Sequence, residues 1–370
     1  VVMWGSVWIW MVVSVGCASG FLLFRRVKLP VSGNPGSGDK RVTVIIPARN
    51  EESNLPHLLA SLMEQTARPH EIIVVDDHSK DRTRQIAESY GVSVMTGSPL
   101  PEGWTGKNWA VWNGYLRASG DVLVFLDADV RLAPNALASL LRARERSGGV
   151  VSVVPYHRTQ KLYERLALVF NLLGAFAFTS PFERNNPRKG LYGSCIVAAR
   201  EDYERINGHE SVKSEVLDDL LLGSKFREAG IPTANYLGYR LVSFRMYPQG
   251  IRSEIEGFSK GAVLSTSTLN RWTVVCSAAW TAGLLVSESA LLTAFTPWAL
   301  PLAMGYVLYT VQLLYLMRYV GFFGIVVPLL HPLAVLFFLI VMLYSLYQVA
   351  VLGRVRWKGR DVRVGSGRRR

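Results

Sequence analysis

The sequence predicts an α/β domain with a mostly parallel sheet, held between apolar segments at both ends of the chain. Three observations carry that reading. Strand and helix signals alternate from Arg41 to Leu126, the rhythm of βαβ units. The run Val122-Leu123-Val124-Phe125-Leu126 is continuously apolar, as strands buried on both faces are, and it ends in Asp127-Ala128-Asp129. The other apolar residues gather in long charge-poor stretches, giving 370 residues a mean hydropathy of +0.20 although 19% of them are charged.

Residues 1–28 form the first element. Trp4 to Phe24 is charge-free and just long enough to span a bilayer. A cleaved leader is the alternative, but no basic residues precede the run. Arg25, Arg26 and Lys28 follow it instead, the order of an anchor whose carboxyl side is cytoplasmic. Residues 29–40 hold Val31-Ser-Gly-Asn-Pro-Gly-Ser-Gly-Asp39, a linker by composition.

The domain proper is expected over residues 41–271. Strands are predicted at Val42–Ile46, Glu71–Val75, Ser93–Met95 and Val122–Leu126, with helices near Leu55–Gln65, Asp81–Tyr90 and Asn108–Ser119. Within 161–180, the apolar-rich run from Leu166 to Phe178 is short for a span. It predicts an interfacial helix, with a buried helix as the alternative.

Residues 272–352 contain further apolar stretches, at about 273–295, 297–317 and 322–352. Pro328, His331 and Pro332 interrupt the last one, which reads as kinked or partly re-entrant. Three full crossings would leave the basic tail, 353–370, outside the membrane. The positive-inside bias predicts that one of these segments does not cross fully.

The net charge is +13. Much of the excess lies beside membrane segments, where anionic lipid explains it, and no nucleic-acid motif with interleaved aromatics is present. The cysteines, Cys17, Cys195 and Cys276, have no zinc or disulfide spacing. His209 stands near Cys195 and Asp202 in sequence, but that spacing is no recognised ligand set, and His209 is read as a loop histidine.

Two more strand ends resemble the first. Val42–Ile46 runs into Pro47-Ala-Arg-Asn-Glu-Glu52, and Glu71–Val75 into Asp76-Asp77-His78-Ser79. Parallel strands share a carboxyl edge, so the three polar clusters should converge on one crevice. Two Asp at i and i+2 are able to reach one hard divalent cation. The loop Gly103-Trp-Thr-Gly-Lys107-Asn-Trp-Ala110 brings a cation for phosphate without Walker spacing. Downstream, Asp218-Asp219 opens a helical pattern continuing to Glu228; helix capping is the competing reading.

Together these motifs resemble a family 2 glycosyltransferase of the GT-A fold. Pro155-Tyr156-His157, Phe244-Arg-Met-Tyr247 with Gly250, His331-Pro332 and Trp357-Lys-Gly-Arg360 are similar to the membrane-bound carotenoid (diaponeurosporenoate) branch. The resemblance implies roles. Pro47, Arg49, Glu51 and Asp77 would cradle base and ribose, with Asp76 supporting that loop. Lys107 would approach the diphosphate or ribose, Asp127 the ribose side or the metal, and Asp129 a divalent cation, Mg²⁺ or Mn²⁺. Arg245 would clamp the diphosphate. Of the acidic pair, Asp219 follows the broad family and is narrowly favoured as base; Asp218, which the carotenoid branch points to, is the alternative. His78 stands where the family often has Gly.

The implied reaction is single inverting transfer of a sugar, expected from a UDP-hexose, to a lipid in the cell membrane, with the catalytic domain in the cytoplasm and no nucleic-acid partner. A carotenoid-type acceptor is favoured, and a polyprenyl phosphate, hopanoid or glycerolipid is the alternative. A processive synthase is disfavoured because Gln-x-x-Arg-Trp is absent. A non-catalytic membrane scaffold is disfavoured by Asp127, Asp129, Asp219 and Lys107.

Overall fold

The computed structural model describes residues 2–33, 40–215, 217–262, 268–293, 295–352, 354–357 and 360–363. Part of the linker, 34–39, and most of the basic tail, including Lys358, Gly359 and 364–370, lie outside them. The chain divides into two compact units. One comprises 1–26, 158–186 and 247–352, the other 27–157, 187–246 and 353–370.

The second unit is the α/β domain. Its strands are β1 (Val42–Ala48), β2 (Glu71–Asp76), β3 (Ser93–Thr96), β4 (Val122–Leu126), β5 (Val130–Leu132), β6 (Val150–Val154), β7 (Tyr156–Arg158), β8 (Cys195–Ala199), β9 (Thr233–Leu237) and β10 (Val242–Phe244). The main sheet has the order β3-β2-β1-β4-β8-β6-β9. β1 to β4 run parallel, as do β6 and β9, while β8 is antiparallel to both of its neighbours. The structure thus has the expected mostly parallel sheet, made mixed by β8.

Both faces of that sheet are covered, which explains the unbroken apolar strands. Val44, Ile46, Val124 and Leu126 pack on one face with Leu55, Leu58 and Leu59 of helix 55–63, and with Leu137 and Leu140 of helix 136–147. Ile45, Leu123 and Phe125 face the other side, against Val111, Leu222 and Phe226. Pro47 sits where β1 pairs only with β2, so its missing N–H interrupts no ladder on the β4 side. A smaller sheet sets β10 between β5, antiparallel, and β7, parallel.

The helices, in chain order, are α1 (Val2–Leu23), α2 (Leu55–Met63), α3 (Thr83–Ser89), α4 (Gly106–Arg117), α5 (Ala136–Ser147), α6 (Leu168–Thr179), α7 (Arg200–Arg205), α8 (Asp218–Glu228), α9 (Ile251–Ala262), α10 (Arg271–Glu288), α11 (Ala299–Val320), α12 (Val326–Leu329) and α13 (His331–Tyr347). Among the described residues, five helical runs are long and apolar enough to cross a membrane: Ser6–Leu23, Tyr163–Glu183, Arg271–Leu292, Ala299–Val320 and His331–Leu352. These mark a membrane-associated protein. The run around α6 is longer than its apolar residues indicate, because 3₁₀ turns at Tyr163–Ala167 and Pro181–Glu183 extend it at both ends.

All five runs belong to the first unit. α1 lies close against α10 because Gly16 and Gly20 present no side chain there. A Cβ on Gly16 would fall 2.7 Å from Ala279 O of α10 and 2.4 Å from Tyr309 Oη of α11, and one on Gly20 would fall 2.5 Å from the Trp280 ring of α10. Small residues four apart allow such backbone approach between apolar helices. The carboxyl ends of α1 and α11 coincide, with Phe24 5.7 Å from Tyr319, centroid to centroid.

The chain then doubles back. The Tyr306 hydroxyl donates to Leu329 O (2.6 Å), and its ring stacks on His331 at 4.2 Å. Tyr306 lies about 20 Å up the helix from Tyr319 at 1.5 Å per residue. α13 therefore starts partway along α11 and ends near α9, where Ser345 Oγ donates to Ser259 O. This is how the stretch interrupted by Pro328, His331 and Pro332 is broken.

Candidate active site

The parallel registers put the ends of β1, β2 and β4 on one edge of the sheet. Ala48 is opposite Asp76, and Ile45 is opposite both Ile73 and Phe125. The loops after β1 and β2 are laced together. Arg49 Nη1 donates to Asp77 O (3.0 Å) and lies 3.3 Å from Asp77 Oδ2. Asp76 Oδ1 accepts from Ser79 N, Glu51 N donates to Thr83 Oγ1, and Glu51 Oε2 accepts from Asn54 Nδ2. His78 has φ +55°, the left-handed conformation that a glycine at this position would take freely. Pro47, Arg49, Glu51, Asp76 and Asp77 are thereby gathered at one corner.

The Gly-Lys loop opens α4. Thr105 is its N-cap, accepting from Asn108 N. The fully buried Asn108 side chain donates to Val212 O (2.9 Å) and reaches Glu215 O (3.2 Å). That tie holds the start of α4 beside the segment leading to Asp218. Lys107 Nζ consequently lies 2.8 Å from Asp127 Oδ1. Burial pulls the Lys107 ammonium down, but the carboxylates of Asp127, Asp218 and Asp219 outweigh it and hold its pKa above the usual lysine value.

Asp127 N donates to Ser194 O, ahead of β8. Asp129 continues into β5, and Arg245 N donates to Asp129 O at 3.3 Å. The β10–β7 pairing places Phe244 opposite His157 and Ser243 opposite Tyr156. Two motifs far apart in sequence thus stand side by side next to the Asp pair. Arg245 also belongs to a basic neighbourhood. Burial, then the Arg131 and Arg245 guanidinium groups, lower the His57 imidazole below its ordinary value.

Asp218 and Asp219 occupy the first turn of α8, where the helix dipole favours negative charge. The Asp219 carboxylate accepts from Gly193 N (2.9 Å) and Leu220 N (3.0 Å). Leucine 217 precedes the helix and caps nothing with its side chain. Tyr192, which nothing in the sequence singled out, stands half-buried among these groups. Burial first, then Asp129, Asp219 and Asp127, push its phenol above the ordinary value. His209 is no ordinary loop histidine: it is buried and lies 3.6 Å from Asp218 Oδ2.

Among the described residues, no three His, Cys, Asp or Glu side chains converge on one point. Two carboxylates at a strand end nevertheless suit a hard cation that keeps waters and takes its other ligands from substrate phosphates.

Residues 43–206 match the family model described as Glycosyl transferase family 2. The chain is 31% identical over 372 residues to the 4,4'-diaponeurosporenoate glycosyltransferase of Staphylococcus aureus (strain USA300), spanning 98% of this chain and 99% of that protein. The chain belongs to glycosyltransferase family 2. The protein of the same name from strain MRSA252 is likewise 31% identical over 372 residues. A mannosyltransferase from Pyrobaculum calidifontis, solved with GDP-Man and Mn²⁺, superposes with a TM-score of 0.55 at 17% identity, covering 92% of this chain and 99% of that one. That likeness extends to the fold, which is GT-A. The protein is a glycosyltransferase.

Proposed function

We propose that this glycosyltransferase transfers one hexose, with inversion, from a UDP-hexose to a lipid held in the membrane, a carotenoid-type acid or alcohol being the favoured acceptor. The observation that carries the reading is the meeting of Lys107 with Asp127, Asp218 and Asp219 at the carboxyl edge of β1, β2 and β4. Identity to the carotenoid enzymes over nearly the whole chain supports the acceptor class.

In this reading Arg49, Glu51 and Asp77 bind the nucleoside, with Pro47 and Asp76 shaping the loop. Lys107 and Arg245 face the diphosphate. Asp129, with Asp127 beside it, would hold Mg²⁺ or Mn²⁺, which when bound neutralises charge on the leaving diphosphate. The sugar C1–O bond to the nucleotide breaks as C1 bonds to the acceptor oxygen from the opposite face. Asp219 or Asp218 takes the proton where the acceptor is an alcohol. A carboxylate acceptor has no proton to give, so the pair then matters less.

The catalytic unit is assigned to the cytoplasm of a multi-pass protein of the cell membrane. Arg25 and Arg26 follow α1 after Phe24, and the return of the chain at Tyr306 and Leu329 would let α11 and α13 end on the same side. The positive-inside bias then expects the basic tail on the cytoplasmic side.

The experiment is lipid mass spectrometry on cells with and without the gene. Membranes are incubated in parallel with labelled UDP- or GDP-sugars and Mn²⁺. A lipid heavier by one hexose, made from the UDP donor, is expected. A water-soluble polymer would establish a processive synthase, and no metal-dependent donor consumption would establish a scaffold.

A further inference from the structure

We propose that His209, with Tyr203 behind it, is a positioning residue that fixes the Asp218 carboxylate for sugar transfer. The proposal rests on the reading of Asp218 and Asp219 as the acidic pair of the transfer site. It gives the two carboxylates different supports: backbone N–H groups for Asp219, an oriented imidazole for Asp218.

The arrangement is built by the turn after α7. Asn207 and Gly208 both have left-handed backbones, with φ +55° and +44°. A Cβ at Gly208 would fall 2.2 Å from the Tyr203 ring, so the turn closes directly onto that ring. His209 N thereby donates to Tyr203 Oη at 2.9 Å, and the same hydroxyl lies 2.8 Å from His209 Nδ1. Tyr203 is fully buried, His209 is 3% exposed and Asp218 7% exposed.

The geometry then pins the ring. Burial holds the Tyr203 phenol protonated. Its oxygen accepts from the His209 backbone and also pairs with Nδ1, so one side of the imidazole is held and the other is turned toward Asp218. Nε2 is the atom facing Asp218 Oδ2 at 3.6 Å. That separation exceeds an ordinary hydrogen bond, so the ring acts on the carboxylate by close packing across a short gap at a site with little water. Phe125 packs against the imidazole with ring centroids 5.5 Å apart.

The test uses full-length enzyme in lipid nanodiscs and compares His209→Phe, His209→Gln and Tyr203→Phe. Outer partners that orient metal ligands are worth about tenfold to a hundredfold, and the lower end of that scale is expected for a partner of a proton-accepting carboxylate. His209→Phe should lower kcat about tenfold or more with donor KM within about twofold. His209→Gln, which returns an N–H toward Asp218, should recover most of that loss. Tyr203→Phe, which keeps the ring and frees Nδ1, should fall between them and covers the case that His209→Phe does not fold. Equal kcat for His209→Gln and His209→Phe would overturn the proposal, as would wild-type kcat in Tyr203→Phe. Wild-type kcat in both Asp218→Asn and Asp219→Asn would instead remove the acidic-pair reading itself.

Discussion

Lys107 Nζ lies 2.8 Å from Asp127 Oδ1, both side chains 29% exposed. The pair joins the first turn of α4 to the end of β4. It leaves the ammonium charged at the edge where a diphosphate would lie, with Asp218 and Asp219 also raising its pKa. Replacing Lys107 by Met removes the cation and leaves Asp127 facing Asp218 and Asp219 uncompensated. Loss of one such electrostatic contact costs about a hundredfold in turnover. Initial rates with labelled donor should show that loss, and a fall of under about fivefold would place Lys107 outside the site.

Asp129 and Asp219 differ in what holds them. Asp219 accepts backbone N–H groups from Gly193 and Leu220, whereas Asp129 is the carboxylate assigned to the cation. Asp129→Asn should abolish Mn²⁺ binding read by electron paramagnetic resonance, together with metal-stimulated turnover. Asp219→Asn should keep Mn²⁺ binding and lose less turnover when the acceptor is a carboxylate. Equal losses in both variants would argue for an alcohol acceptor, whose proton must be removed.

The sheet was legible where strands are buried on both faces. β1, β2 and β4 are unbroken apolar runs, and parallel pairing follows from the helices between them. β5, β7 and β10 were not legible, because strands as short as Val130–Leu132 and Val242–Phe244 carry no periodicity. The antiparallel entry of β8 between β4 and β6 was equally hidden, since an apolar run does not declare its direction. The same limit applies at the site. Charged residues at strand ends announce themselves, while Tyr192 and His209 acquire partners only through chain reversals at Gly193 and Asn207-Gly208. Asn108 stood inside the Gly-Lys motif, yet its tie to Val212 O depends wholly on tertiary structure.

Arg49 bridges the loops after β1 and β2 through the carbonyl and carboxylate of Asp77. A residue that shapes the nucleoside corner contributes equally before and during the reaction. Arg49→Ala should therefore raise donor KM about tenfold with kcat nearly unchanged, the signature of lost uniform binding. Titration with UDP alone by calorimetry checks the same loss without turnover. A fall in kcat at constant KM would move Arg49 from nucleoside binding to the reacting end of the donor.

Gly16 faces Tyr309 Oη and Ala279 O at distances that a Cβ would reduce to 2.4 and 2.7 Å. Tyr309 meanwhile donates to Trp280 O at 2.9 Å. Gly16→Ile would force α1 away from α10 and break that buried bond. Overpacking of this kind costs about 1–3 kcal/mol. Thermal unfolding in detergent should show a lower Tm for Gly16→Ile and a smaller drop for Gly16→Ala. An unchanged Tm in both would mean that α1 is free to shift.

Glu254 on α9 is buried, and burial followed by the neighbouring charge of Glu164 pushes its pKa from 4.5 up to about 8. Between those two values the folded protein keeps a proton that the unfolded chain releases. Stability from this group is therefore greatest below about pH 4.5, falls as pH rises toward about 8, and is level above that. Gln keeps the shape of a protonated Glu and has no charge to bury. Tm measured from pH 5 to pH 9 in one detergent should then fall further for the wild type than for Glu254→Gln, the variant gaining most at the alkaline end. Parallel Tm curves for the two proteins would mean that Glu254 titrates as an ordinary exposed carboxylate.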